Sequence, residues 1–223
     1  MRILIACEES QTVCIEFRKL GHEAFSCDVQ DCSGGYPEWH IKGDVLEQLN
    51  KGWDMMIAFP PCTHLAVSGA RHFEAKRKDG RQQQAIDFFM QMINAPIEKI
   101  AVENPIGIMS SIYKKPTQVI QPFYFGDADR KTTCLWLKNL PALEYALSDN
   151  LFMQKTSVEP ELITTPKGDR LSKWHYDSYK LSNEEKSKMR SKTFPSIAKQ
   201  MAAQWSFSVS SVGGKKNEKE NYL

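Results

Sequence analysis

With 223 residues, a net charge of +2, 41% hydrophobic and 25% charged side chains, the chain has the composition of one soluble globular unit with a single full core. Its apolar runs have strand length, which argues against a membrane-spanning helix, and a charge this small does not by itself mark a nucleic-acid binder. Six scattered cysteines with no Cys-x-x-Cys pair disfavour disulfides and structural zinc, so neither a metal nor a membrane is expected as a partner.

Met1 to Ala6 run directly into a strand over 2–6 and lack the long apolar region of a secretory leader, so a cytoplasmic location is expected. Ser10 is placed to cap a helix with Val13, Cys14, Phe17 and Leu20 on one face, and Gly21 ends it. A short strand over 23–27 stops at Asp28. A loop rich in Gly, Ser and Pro then leads to Asp44 and a short helix near 45–49. The apolar run 53–58 reads as a buried strand that leaves the sheet at Phe59-Pro60-Pro61-Cys62. After a long polar loop to about Arg81, a helix over 82–95 carries Ala85, Phe88, Phe89, Met92 and Ile93 as its apolar stripe. A strand over 99–103 closes in Glu103-Asn104-Pro105, and 123–125 with 132–137 reads as an antiparallel hairpin.

This alternation predicts an α/β fold, a doubly wound, mostly parallel, Rossmann-like sheet with an antiparallel closing hairpin. Residues 1–140 form the expected core unit. Residues 141–193 have weak periodicity and several prolines and read as a mostly irregular insert, in which Ser182 to Glu185 resembles a capping box opening a short basic helix. Residues 194–207 read as a final helix carrying Ile197, Met201 and Trp205, and 208–223 as a disordered tail.

Two prolines after a buried strand hold Cys62 on a stiff loop at the carboxyl edge, where open α/β sheets bind ligands. Glu103 occupies the equivalent place on the next strand. A thiol and a carboxylate at adjacent strand ends suit nucleophilic attack on a ring whose nitrogen needs a proton, which is pyrimidine chemistry. The other cysteines read as small core residues. Basic residues gather at Arg71 to Arg81 and from Lys180 onward; each cluster alone is a solvated face, and together they permit a phosphate-contacting surface.

In order and spacing, Gly43-Asp44-Val45, Pro61-Cys62, Ser68-Gly69, Glu103-Asn104 and Phe125-Gly126 resemble the short motifs of the cytosine-5 DNA methyltransferase family. The resemblance covers roughly residues 1–140, with a weaker echo over 194–205. It implies S-adenosylmethionine as cofactor, DNA as partner, Cys62 as nucleophile and Glu103 as the acid at ring nitrogen 3. It also implies Asp44 at the adenine amino group and Asp28 at the ribose hydroxyls, with Pro60 on the cofactor side. Asn104, Ser68, Arg71, Arg130 and Lys131 fall on the substrate side.

Two departures stand out. The glycine-rich first loop of the family is here Cys7-Glu8-Glu9-Ser10-Gln11-Thr12, in which Glu8 or Glu9 either meets the cofactor's cationic groups or is an exposed first-turn carboxylate. The family's basic motif is here Asp129-Arg130-Lys131-Thr132-Thr133, with Thr133 where an arginine stands. An insert of about fifty residues is short for target recognition. Low sequence selectivity, a very short motif or a specificity partner protein would each account for it. Phe59 and Cys62 flanking the prolines argue against an amino-methyltransferase, and the missing second thiol after Pro61-Cys62 against a zinc deaminase. A degenerate fold that binds without turnover, or a pyrimidine methyltransferase for RNA or nucleotides, are the alternatives.

Overall fold

A computed structural model describes residues 1–149, 153–166 and 168–207. The expected disordered tail, 208–223, lies outside the described residues. In chain order the elements are β1 (Arg2–Ala6), α1 (Thr12–Lys19), β2 (Glu23–Asp28), β3 (His40–Lys42), β4 (Met55–Ala58), α2 (Phe73–Lys78) and α3 (Arg81–Ile93). There follow β5 (Lys99–Asn104), α4 (Met109–Ile112), β6 (Gln118–Ile120), β7 (Thr133–Lys138), β8 (Leu162–Thr164), β9 (Arg170–Ser172), α5 (Lys173–Ser178), α6 (Asn183–Ser191) and α7 (Pro195–Trp205).

Seven strands make one sheet in the order β3-β2-β1-β4-β5-β7-β6. The pairs from β3 through β5 are parallel, and β7 runs antiparallel to both β5 and β6. This is the doubly wound α/β sheet with a closing antiparallel hairpin that the sequence predicts. Strand order reverses between β1 and β4, the place where such sheets open a crevice at their carboxyl edge.

Both faces of the sheet are covered, so β4 throughout and β1 after its exposed first residue, Arg2, are continuously apolar rather than alternating. Ile3, Ile5, Met55 and Ile57 face α1 and α7, packing with Phe17, Ile197, Met201 and Trp205. Leu4, Met56, Ala58 and Val102 face the other way, toward Phe89 and Met92 of α3 and toward Trp136. Among the described residues, no helix is long and apolar enough to cross a membrane.

Four local expectations need correction. Ser10 does not cap α1; Gln11 occupies the N-cap in the left-handed region at φ 57°, and the Glu8 carboxylate takes the helix N–H groups instead. The hairpin's first strand is β6, because Pro122 has no N–H to donate to a ladder and opens a 3-10 turn over Pro122–Tyr124. The polar loop before Arg81 folds into a 3-10 turn over Val67–His72 and then α2. Among the described residues of 141–193, regular structure begins at β8; β9, α5 and α6 follow, and the Ser182–Glu185 capping box is present. Strands of three half-exposed residues are too short to leave a periodicity in sequence.

Candidate active site

β4 and β5 are parallel neighbours with Ala58 opposite Val102, so the segments after them emerge side by side at one edge of the sheet. Cys62 lies in the loop after β4, and Glu103 is the next-to-last residue of β5 itself. What binds the two together is Asn104, 1% exposed, whose Nδ2 donates to the Pro60 carbonyl at 2.9 Å. Its Oδ1 is buried without a partner. Beyond this clamp the loops are zipped: Val67 N–H donates to the Ile106 carbonyl and Ile108 N–H to the Leu65 carbonyl, each at 3.0 Å. Gly107 makes that approach feasible, since a Cβ there would stand 2.4 Å from the Leu65 oxygen.

Two further side chains fix the cysteine loop, and sequence reasoning missed both. Lys76, buried on α2, donates from Nζ to the Thr63 carbonyl at 2.6 Å, and Gln82, buried on α3, donates from Nε2 to the His64 carbonyl at 3.2 Å. In sequence Lys76 is one of five basic residues between Arg71 and Arg81, and nothing there sets it apart from its exposed neighbours. Ser68 and Arg71, expected near substrate, lie exposed on the Val67–His72 turn, with Arg71 Nε hydrogen-bonded to His72.

Cys62 is half-buried rather than packed into the core. Burial, and secondarily the Glu103 charge, push its thiol up, while the Lys131 and Arg190 charges draw it down. Burial likewise raises Glu103 above the ordinary carboxylate range, against the pull of Lys131. Thiol, carboxyl and ammonium therefore share one field. Phe59, Glu103, Lys131, Thr133, Thr193 and Phe194, with Ile197 and Met201 of α7, line a narrow cleft that in this structure has room for about one water molecule. Lys131 Nζ also donates to the Lys192 carbonyl at 3.3 Å. Arg130 is exposed, and its carbonyl accepts from Ser172 Oγ. Thr133 is buried, with its hydroxyl turned back to the Lys131 carbonyl. Trp174 packs against Phe194 with ring centroids 5.5 Å apart, so this aromatic anchors the insert to the cleft wall.

The other half of the carboxyl edge is acidic. Cys7, at φ 60° after β1, is raised far above a free thiol, first by burial and then by the charges of Asp28, Cys27 and Asp44. The chain carrying Asp28 and Asp44 lies beside the end of β1: Cys7 N–H donates to the Cys27 carbonyl at 2.8 Å, and Gly43 N–H to the Asp28 carbonyl at 2.9 Å. Each aspartate spends one carboxylate oxygen on a local turn, Asp28 on Gln30 N–H and Asp44 on Leu46 N–H, both at 2.9 Å. Glu8 is not the exposed first-turn carboxylate of the second alternative: it is 4% exposed and accepts from Val13 N–H at 2.7 Å and Cys14 N–H at 3.2 Å. It fills the positive end of α1 that an anionic ligand would otherwise use. Glu9 differs. It is 8% exposed, and its Oε1 is buried without a partner. The loop at 33–36 folds over this turn, Gln11 exchanging two hydrogen bonds with the Tyr36 backbone. Gly34 lies against it so closely that a Cβ would stand 2.6 Å from that of Gln11. Among the described residues, no group of three or more His, Cys, Asp or Glu is arranged to hold a metal ion.

No family model and no curated protein matches the sequence. Among solved structures, the chain is similar to a candidate DNA modification methyltransferase encoded within a prophage (E. coli), at 16% identity and a TM-score of 0.44. The likeness covers 72% of this chain and 52% of that one, so the chain spans about half the length of that protein.

Proposed function

We propose that the chain is an S-adenosylmethionine-dependent methyltransferase acting on carbon 5 of cytosine in DNA through a covalent adduct to Cys62. The observation that carries this reading is the Asn104 to Pro60 hydrogen bond, which holds a half-buried thiol and a raised carboxyl at neighbouring strand ends. Carbon 5 of cytosine is a poor nucleophile until carbon 6 is attacked. The Cys62 thiolate forms the sulfur–carbon 6 bond, and the displaced electron pair moves toward ring nitrogen 3, where protonated Glu103 supplies a proton. The product is an enamine with a nucleophilic carbon 5. Once carbon 5 has used its electron pair to take the methyl group that S-adenosylmethionine would supply, loss of the carbon 5 proton to solvent expels the thiolate, and Glu103 recovers the proton it gave.

The cofactor would lie on the acidic side of the crevice. Asp28 and Asp44 retain a free carboxylate oxygen for hydroxyl or amino donors, and the unpartnered, buried Oε1 of Glu9 fits an ammonium group. When bound, S-adenosylmethionine supplies an electrophilic methyl group. Glu9, rather than Glu8, is the carboxylate of the first loop with capacity to spare. On the substrate side, Lys131 balances the charge that attack places near Glu103, and α6, at the rim beside Lys131, would face the DNA. A cytosine in a duplex must be flipped out to reach this site, at a cost of a few kcal/mol.

A DNA oligonucleotide carrying 5-fluorocytosine tests the reading, because fluorine at carbon 5 prevents release and traps the adduct. A denaturing-gel species that requires both cofactor and Cys62 is expected with the wild type and not with Cys62→Ala. Absence of that species with the wild type refutes the proposal in favour of a fold that binds without turnover. Adducts formed only with the matching RNA or nucleotide would reassign the substrate.

A further inference from the structure

α6 stands at the rim of the reacting cleft. The Lys192 carbonyl, just past the helix, is held by Lys131, and the next residues, Thr193 and Phe194, line the cleft beside Glu103. The last turn of α6, which carries Lys188 and Arg190, is therefore at the mouth. No residue of this helix is buried, so its side chains are not committed to packing. Lys188 pairs with Glu184 at 3.4 Å, and Lys186 lies 4.3 Å from the Tyr179 ring. Arg190 is exposed and, among the described residues, has no ion pair. Its charge nevertheless reaches Cys62 on one side and His175 of α5 on the other.

Below Arg190 the cleft is short of positive charge. Thr133 is neutral and self-satisfied, and Lys131 is divided between Cys62, Glu103 and the Lys192 carbonyl. A nucleotide whose base reaches Cys62 and Glu103 brings its phosphates to this rim, and a free guanidinium there offers paired donors that match two phosphate oxygens. We propose that Arg190 grips the phosphate next to the pyrimidine that reacts with Cys62, so that the insert contributes a substrate-contacting cation to the site. The inference rests on the reading of Cys62 above and adds the anchor for the flipped nucleotide. Contact with a phosphate carries no sequence information, which suits a small insert.

Trapping duplexes with one 5-fluorocytosine, carrying either a natural phosphate or a neutral methylphosphonate on each side of it in turn, test the proposal with full-length wild type and Arg190→Gln. On the natural duplex the variant should form adduct about tenfold or more slowly, as expected for loss of a charge-assisted contact. At one linkage the methylphosphonate should slow the wild type by a similar factor and leave the variant no slower than before, with Arg190→Lys intermediate. Losses that multiply, or a variant as fast as the wild type, overturn the proposal. A wild type that traps nothing would refute the Cys62 reading instead. In that case non-additive weakening of equilibrium binding by the same two changes sustains the phosphate contact, and additive weakening removes it as well.

Discussion

The Asn104 amide reaches across from the end of β5 to the Pro60 carbonyl at 2.9 Å, so Cys62 and Glu103 cannot separate without breaking a buried hydrogen bond. Asn104→Ala would leave the Pro60 carbonyl without this partner in a site closed to water. Destabilisation of about 1–3 kcal/mol is expected in urea unfolding. Adduct formation should fall further than stability explains, because both loops would sample other positions. Asn104→Asp cannot donate at neutral pH and should resemble the alanine variant. If it matches the wild type instead, the clamp is not what aligns the two strand ends.

The raised Cys62 thiol and the raised Glu103 carboxyl fix the form of the pH profile. The reactive form needs the thiolate and the protonated carboxyl together. Since carboxyls titrate below thiols, it arises when the proton of Cys62 is carried by Glu103. Wild-type trapping should be bell-shaped, rising as the first group of the pair deprotonates and falling as the second does. Glu103→Gln presents a donor amide at every pH, so the falling limb should vanish and the slower reaction should climb to a plateau at alkaline pH. A bell-shaped curve in the variant would mean that another group protonates the ring.

Strand positions were readable from sequence because a sheet buried on both faces writes itself as continuous apolar runs, as in Met55–Ala58 and 100–102. Cys62 and Glu103 followed, since position after a strand implies position on the carboxyl edge. The clamps did not follow. Lys76 and Gln82 act on backbone carbonyls of Thr63 and His64, and any polar side chain of suitable length is a candidate for such a contact. Glu8 reads like a surface carboxylate because its partners are N–H groups, which every residue but proline has. The hairpin was shifted because aromatic Phe123–Phe125 looks strand-like, whereas the proline before it sets a turn.

Gly107 gives a steric test of the zipped loops. Gly107→Ala would place a methyl 2.4 Å from the Leu65 oxygen, and both neighbouring segments are backbone, which cannot rotate away. The variant should lose about 1–3 kcal/mol of stability and trap DNA slowly. Gly43→Ala, with nothing within 4 Å of the new methyl, serves as the control and should leave unfolding unchanged within about 0.5 kcal/mol. Equal effects of the two changes in urea titrations would contradict the close approach of Gly107 to Leu65.

Glu8 should make stability fall as pH rises. Burial raises its carboxyl from 4.5 to about 7, against the lowering effect of the Val13 and Cys14 N–H groups. The folded state therefore holds the proton more tightly than the unfolded state. The stabilisation is fully present below pH 4.5 and is lost as pH climbs through about 7. The loss is on the order of 3 kcal/mol. Glu8→Gln keeps an acceptor for one helix N–H but does not ionise, so its stability should not carry this slope. Other titrating groups act on both proteins alike, and the difference between their urea midpoints at pH 5 and pH 8 isolates Glu8. The wild type should lose ground to the variant over that interval. If the two stay parallel, Glu8 is already ionised when folded, and the α1 N-terminus pulls on it more strongly than burial pushes.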